Sequence, residues 1–216
     1  MTAWHWRDTE RGRFRVNRQD WLSNRDLHDR GYNSRLHGHL AQRRWHSVID
    51  AGANTGQSML MFASYCDHIV SCEPIPELFA QLEITRSENC VDHCDTIQTA
   101  LWDRGCELTM NYRSNNSLAS QVDPQGTVRV PAVTIDDLAQ RPDLIKIDCE
   151  GSDLRVLMGA RDTIRRCRPH LVLEMKHSIQ PVLAIQQWLV LMGYEPDPLF
   201  AQGRGRNIIY QPQVVK

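Results

Sequence analysis

Acidic side chains follow several short apolar segments of the sequence. Asp50, Glu73, Asp148 and Glu174 each stand within or directly after a run of aliphatic residues, as is typical of strands buried in a parallel sheet. Open parallel sheets bind ligands beyond the carboxyl ends of their strands, so these carboxylates should converge on one edge. Because a buried acid needs a partner, the convergence predicts a site for hydroxyl groups, an ammonium group or a metal ion.

The segment Ser47–Gly56 predicts the strand, glycine turn and helix that open a nucleotide-binding βαβ unit. Gly52 and Gly56 would let the backbone approach a ligand, and the next helix would offer free N–H groups. A dinucleotide fingerprint has glycine where Asn54 stands. Asp50 would repel a pyrophosphate but suits a cofactor with an ammonium group, such as S-adenosylmethionine. A turn without a ligand and a nicotinamide or flavin site are the alternatives.

A second strand is predicted over residues 68–72, and it ends at Glu73-Pro74. Proline cannot continue a central strand, so Glu73 should stand at the carboxyl end of the sheet. An acid at this place in nucleotide-binding folds accepts hydrogen bonds from the ribose, and an acid in solvent is the alternative. Residues 95–100 predict a third strand, and Ala100-Leu101 at its end is well placed to lie beside an adenine ring.

Length and composition predict one folded domain. The chain has 216 residues, a mass of 24.9 kDa, 41% hydrophobic residues and a net charge of -1. These values favour a globular protein and argue against nucleic-acid binding by the chain as a whole. No apolar run approaches membrane-spanning length, and the seven cysteines include no Cys-x-x-Cys pair. We expect a cytoplasmic protein with reduced thiols, no membrane span and no zinc site.

Strands and helices are predicted to alternate along the chain. Apolar runs at 144–148 and 170–174 predict two more buried strands, each followed by a helix. The alternating segments 107–112 and 127–134 predict an inserted antiparallel pair. The fold class is therefore α/β: a Rossmann-like, mostly parallel, doubly wound sheet with an inserted antiparallel strand pair and a C-terminal hairpin.

The N-terminal segment, residues 1–45, differs from the rest in composition. It carries four tryptophans among ten arginines, and its leucines suggest one or two short helices. Basic residues interleaved with aromatic ones can bind nucleic acid or an anionic substrate. They are also typical of a helical cap over a site, with the arginines in water. We expect the cap, followed by a single domain over residues 46–216.

In its motifs the chain resembles the FkbM family of S-adenosylmethionine-dependent methyltransferases, which have the class I, Rossmann-like fold. The resemblance covers most of residues 48–174, and the order of the motifs makes it specific. The matching segments are Val48–Gly56, Cys72–Pro76, Ala100–Asp103, Ser117-Leu118, Val133–Leu138, Ile145–Gly151 and Pro169–Glu174. The resemblance implies methyl transfer to an oxygen of a sugar, a glycolipid or a secondary metabolite.

The resemblance also implies roles for individual residues. The cofactor contacts would come from Asp50, Gly52, Ala53, Asn54, Thr55, Gly56, Glu73, Pro74, Ala100, Leu101 and Asp148. Asp148 and Glu150 would sit where the sulfonium methyl meets the acceptor. A base must take the hydroxyl proton, and His177 is the first candidate because an imidazole titrates near neutrality. Asp148 and Glu150 are the alternatives, and they could instead hold a divalent metal, which is not predicted.

Two functions of other classes stay open. An RNA methyltransferase would hold its acceptor with the basic and aromatic N-terminal segment, and its RNA binding would be salt-sensitive. A non-catalytic protein would keep the cofactor site without turnover. The presence of Asp50, Glu73, Asp148 and Glu150 argues against such a loss of activity. The favoured partner is a small-molecule or carbohydrate acceptor, nucleic acid is not expected, and no oligomeric state is predicted.

Overall fold

The computed structural model describes residues 4–9, 11–17, 34–113, 120–175, 181–200 and 207–213. A 3-10 turn covers Asp136–Leu138. The helices in these ranges are α1 (Ser34–Leu40), α2 (Gln57–Ala63), α3 (Pro76–Glu88), α4 (Asp153–Met158), α5 (Arg161–Cys167) and α6 (Val182–Leu191). None of these described helices is both long and apolar enough to cross a membrane.

The strands form three sheets. They are β1 (Trp4–Thr9), β2 (Gly12–Asn17), β3 (Trp45–Ala51), β4 (Cys66–Cys72), β5 (Cys94–Ile97), β6 (Ala100–Leu101), β7 (Cys106–Asn111), β8 (Gln121–Val122), β9 (Val128–Val133), β10 (Leu144–Ile147), β11 (His170–Glu174), β12 (Tyr194–Pro196) and β13 (Asn207–Pro212). The main sheet has the order β12-β13-β11-β10-β3-β4-β5. The expected α/β class with a central sheet is confirmed.

The main sheet is parallel from β11 to β5. At its other edge β13 pairs antiparallel with β11, and β12 pairs antiparallel with β13. The chain leaves β3 towards β4 on one side and later returns to β10 on the other. A crevice therefore opens beyond the carboxyl ends of β3 and β10, where doubly wound sheets bind their ligands.

Both faces of the main sheet are covered. Val48 of β3 lies in an apolar cluster with α1, α2 and the β1–β2 hairpin. Its neighbour Ile49 lies in a second cluster with α4, α5 and α6 on the opposite face. Successive side chains of a strand point to opposite faces, and here both faces are apolar. This explains why the strands read as continuous aliphatic runs rather than as alternating sequences.

A second sheet stands beside the main one and has the order β6-β9-β7-β8. Strands β7 and β9 run antiparallel, with Cys106 opposite Ala132 and Met110 opposite Val128, whereas β6 is parallel to β9. The sheet packs against Ile75 at the start of α3. Because β6 follows β5 directly, the second sheet adjoins the carboxyl end of the main sheet.

The described part of the N-terminal segment contains a short helix, as its leucines predict, and also a hairpin that was not predicted. The helix is α1, and strands β1 and β2 form the antiparallel hairpin. The hairpin packs on the core through Phe14 and Val16, and it contacts α3 at Asn89. The Asn89 side chain accepts the Arg13 N–H at 2.9 Å and donates to the Arg13 carbonyl at 2.6 Å. The overlooked signal is the strict alternation of basic and apolar residues in β2.

The segment Val133–Leu138 caps helix α5 from a distance. The Asp136 carboxylate accepts the N–H groups of Asp162 at 3.1 Å and Thr163 at 2.7 Å. The first N–H groups of a helix have no partner within the helix, so an acid there is stabilising. Asp136 therefore fixes α5 against the chain that enters β10.

Replacing Asp136 with alanine should lower the free energy of unfolding by about 1–2 kcal/mol, the usual cost of losing a helix N-cap. Urea unfolding followed by circular dichroism would measure the change. Glu195→Ala, at an exposed strand position, is the control, and it should stay within about 0.5 kcal/mol of the wild type. Equal stability of the Asp136 variant and the wild type would contradict the capping role.

Candidate functional site

The turn between β3 and α2 requires glycine at two positions. Gly52 has φ +80°, and a Cβ there would stand 2.1 Å from the Asp148 carbonyl oxygen. Gly56 has φ +99° at the start of α2. Both glycines have a left-handed conformation that disfavours a side chain. At Gly52 the Asp148 backbone also occupies the space that a Cβ would need. The turn therefore lies directly against the segment that follows β10.

The turn itself is held by backbone hydrogen bonds. The N–H groups of Gly52 and Ala53 both donate to the Cys72 carbonyl at the end of β4, at 3.1 and 3.0 Å. The Gly56 N–H donates to the Ala53 carbonyl at 2.9 Å. Three N–H groups of the turn are thus engaged within the protein, which makes the turn rigid.

Asp50 lies beneath the turn. Its side chain is 0% exposed, and its two oxygens meet the Ser58 hydroxyl at 2.6 Å and the Lys146 ammonium at 3.2 Å. Lys146, a charged residue within the buried strand β10, is thus paired with an acid. Asp50, one of the predicted cofactor contacts, has no exposed surface and lies under the turn. Ser58 and Lys146, from two other elements, each contact one of its oxygens.

Glu73 stands at the carboxyl end of β4, as expected, and is almost fully buried. One carboxylate oxygen accepts the Asn54 N–H at 2.9 Å, and the other accepts the Ile75 N–H at 2.9 Å. Burial raises the pKa of the Glu73 carboxyl to about 7, although the two N–H donors oppose the rise. An ionised carboxylate has about four acceptor sites, so Glu73 keeps acceptor capacity for a ligand.

A cleft of about 580 Å³, which includes open solvent, joins these features. Of the expected site residues, the cleft wall contains Gly52, Glu73, Pro74, Ala100, Leu101, Asp148 and Glu150, whereas Asp50, Ala53, Asn54, Thr55 and Gly56 lie outside it. The wall residues that are not among the predicted cofactor or catalytic residues are Cys72, Ile75, Leu78, Thr99, Trp102, Met110, Ser120, Val122, Cys149 and Ser152. Met110 and Val122 are apolar and come from the second sheet.

Three carboxylates converge near the end of β10. Asp148, Glu150 and Glu174 each offer an oxygen, and these atoms all lie within 4.8 Å of one another. Oxygen ligands of this kind suit a hard divalent cation, so these are the described residues that could hold one. They could equally accept a proton or a hydroxyl hydrogen bond. The convergence of Glu174 with the other two agrees with the acids expected at the strand ends.

The Cys149 thiol stands between Asp148 and Glu150 in the sequence. Burial raises the pKa of this thiol, which favours the neutral form over the thiolate. All seven cysteines, each within the described ranges, carry free thiols. His177, the first candidate for the base, lies outside the described residues.

The buried Glu73 carboxyl should make stability depend on pH. Its pKa in the folded protein is about 7, above the value near 4.3 of an unfolded chain. The stabilisation that the protonated Glu73 carboxyl gives the folded protein is therefore fully present below pH 4. It is lost as pH rises through about 7. The free energy of unfolding of the wild type should fall by up to about 3 kcal/mol relative to Glu73→Gln over that range. Urea unfolding at several pH values would measure it, and parallel curves for the two proteins would exclude the effect.

Comparison with known proteins identifies the family. A family model for the methyltransferase FkbM domain matches residues 50–196, a range that includes the turn, Glu73 and all three converging carboxylates. A search of curated proteins gives no match.

Solved structures show the same fold. Methyltransferase FkbM from Methylobacillus flagellatus KT aligns with a TM-score of 0.57 and 18% identity over 77% of this chain and 43% of that one. This chain therefore spans less than half the length of that relative. An rRNA methylase from Streptococcus thermophilus has a TM-score of 0.51, 10% identity, and coverage of 83% and 95%. M. jannaschii TYW2, solved in complex with AdoMet, has a TM-score of 0.53, 11% identity, and coverage of 99% and 88%. On the family match over most of its length, the chain belongs to the FkbM family of S-adenosylmethionine-dependent methyltransferases.

Proposed function

We propose that this protein transfers a methyl group from S-adenosylmethionine to a hydroxyl group of a small, uncharged acceptor, such as a sugar, a glycolipid or a secondary metabolite. The observation that carries the proposal is one cleft whose wall combines two chemically different sets of residues. One part of the wall comprises Gly52, Glu73 and Leu101, and the other comprises the acids Asp148 and Glu150. We also propose that the protein acts in the cytoplasm, in keeping with its free thiols.

The first part of the cleft fits the nucleoside of the cofactor. Glu73 can accept hydrogen bonds from the ribose hydroxyls, because its two N–H partners leave acceptor sites unused. Ala100 and Leu101 are buried and apolar, and they suit the face of an adenine ring. Pro74 lies beside Glu73 in the same wall. Asp50 and Asn54 support this part from outside the cleft, by holding the turn and Glu73 in place.

The second part of the cleft fits the reacting groups. Bound S-adenosylmethionine supplies an electrophilic methyl group on a sulfonium sulfur. Methyl transfer to an alcohol is a displacement in line with the breaking bond, so the protein contributes by positioning the hydroxyl and by accepting its proton. Asp148 and Glu150 can accept that proton or orient the hydroxyl, and His177 is the third candidate for the base.

Charge argues for an uncharged acceptor. Three carboxylates face one another near the end of β10, and like charges at such distances repel. A phosphate or a nucleic-acid backbone would add to this repulsion, whereas a hydroxyl group can donate a hydrogen bond to a carboxylate.

We propose that the N-terminal segment, residues 1–45, takes part in acceptor recognition, and that residues 46–216 form the methyltransferase domain.

An RNA acceptor is the second candidate, and one observation favours it. The hairpin places Arg13 at 4.7 Å and Arg15 at 5.8 Å from the centre of the Trp6 ring, which makes a basic and aromatic surface. RNA binding there would weaken steeply with salt, whereas a neutral acceptor would show little salt dependence.

Cofactor binding should depend on the ionised form of Glu73. We expect S-adenosylhomocysteine to bind with micromolar affinity, and more tightly as pH rises through about 7, the pKa of Glu73. Glu73→Gln should bind about tenfold or more weakly and lose this dependence, because an amide cannot accept both ribose hydroxyls. Calorimetric titration would test this. Binding of a nicotinamide or flavin nucleotide instead would overturn the assignment of the cleft.

Methyl transfer should depend on the two carboxylates. We would incubate the protein with methyl-labelled S-adenosylmethionine and a panel of monosaccharides, glycolipids, phenolic alcohols and RNA, at low and high salt. Label should enter a neutral hydroxylated acceptor, and Asp148→Asn or Glu150→Gln should lower kcat by about 100-fold or more. Glu195→Ala, remote from the cleft wall, is the control. Salt-sensitive labelling of RNA alone would replace the proposal with the second candidate.

A further inference from the structure

Lys146 is a buried cation at the floor of the cleft. It lies in β10 directly opposite Asp50 of β3, and its side chain is 3% exposed. Burying an ammonium group in a sheet is costly unless it is paired. The sequence marks it as unusual, because it is a charged residue inside the aliphatic run Leu144–Ile147.

The Lys146 ammonium has more than one oxygen around it. Asp50 Oδ1 lies at 3.2 Å, the Gly52 carbonyl oxygen at 3.5 Å, and Asp148 Oδ2 at 3.8 Å. The first belongs to β3, the second to the glycine turn, and the third to the segment after β10. One cation thus connects the floor, the turn and a carboxylate of the cleft wall.

The contacts on either side of Lys146 are rigid. Asp50 is held by the Ser58 hydroxyl at 2.6 Å, and Gly52 is held by the Cys72 carbonyl at 3.1 Å. Asp148 is anchored through its backbone, since its N–H donates to the Ala51 carbonyl at 3.1 Å. Its carboxylate, at 16% exposure, lies 3.8 Å from the fixed Lys146 ammonium.

We infer that Lys146 is a positioning residue for the reaction, because it holds the Asp148 carboxylate at the place where cofactor and acceptor meet. The inference rests on the proposed function. Lys146 does not line the cleft wall, so it acts through Asp148. If Lys146 served the stability of the fold alone, its pair with Asp50 would suffice. Its proximity to Asp148 would then have no effect on the affinity for S-adenosylmethionine.

A double-mutant cycle between Lys146 and Asp148 tests the inference without a known acceptor. Calorimetry would measure the affinity of the wild type, Lys146→Met, Asp148→Asn and the double variant for S-adenosylmethionine. If Lys146 acts through Asp148, Lys146→Met should weaken binding about tenfold alone but by less than about twofold beside Asp148→Asn. Lys146→Arg, which keeps the charge, should recover part of the affinity.

Loss of folding is controlled in two ways. Removing one partner of a buried pair is strongly destabilising, so Lys146→Met is also made together with Asp50→Asn, which removes both charges of the pair at once. Asp143→Asn is the matched control for general destabilisation, because Asp143 accepts the N–H groups of His46 and Ser47 at the opposite end of β3. It should lower stability and leave the affinity for S-adenosylmethionine unchanged.

The outcomes separate the two proposals. Equal losses on Lys146→Met with and without Asp148→Asn, or no loss at all, would overturn the inference while leaving the cofactor site intact. A wild-type protein that binds no S-adenosylmethionine would overturn the proposed function itself. Where an acceptor has been found, kcat measured in the same cycle should show the same coupling, with KM for the acceptor changing less than kcat.

Discussion

The ion pair between Lys146 and Asp50 is the interaction on which the cleft depends. Both side chains are almost fully buried, at an N–O distance of 3.2 Å, and neither charge could remain in the core without the other. The pair joins β3 to β10 at the point where the chain order reverses, which is where a crevice must open. The glycine turn and the Asp148 segment both lie against this pair, because the Lys146 ammonium is also 3.5 Å from the Gly52 carbonyl oxygen and 3.8 Å from Asp148 Oδ2.

The cleft is then completed by close backbone packing and by a second sheet. Gly52 allows its turn to touch the Asp148 carbonyl, which brings the glycine turn and the carboxylates that follow β10 together. Met110 and Val122 of the second sheet add apolar residues to the wall. The cleft therefore combines apolar residues with carboxylates, and this combination is what supports the proposed hydroxyl acceptor.

Much of the fold was predictable because its signals are local. The runs around Val48, Ile69 and Ile145 are continuous and aliphatic, as both faces of the sheet demand, and Pro74 marks the end of β4. The N-terminal hairpin was not predicted, although Phe14 and Val16 alternate with arginines in β2. Their strand conformation depends on packing against α3, which lies more than 60 residues away in the sequence.

The candidate site was likewise predictable only in part. The sequence by itself determined that acids would gather at the carboxyl ends of parallel strands beside a glycine turn, because strand ends and turns follow from neighbouring residues. Only the tertiary structure decided that Asp50 is enclosed while Asp148 and Glu150 line the cleft, and that Met110 and Val122 share its wall. Residue types do not distinguish these acids. The enclosed Asp50 contacts the Ser58 and Lys146 side chains, and such contacts between distant segments form only when the whole sheet has assembled.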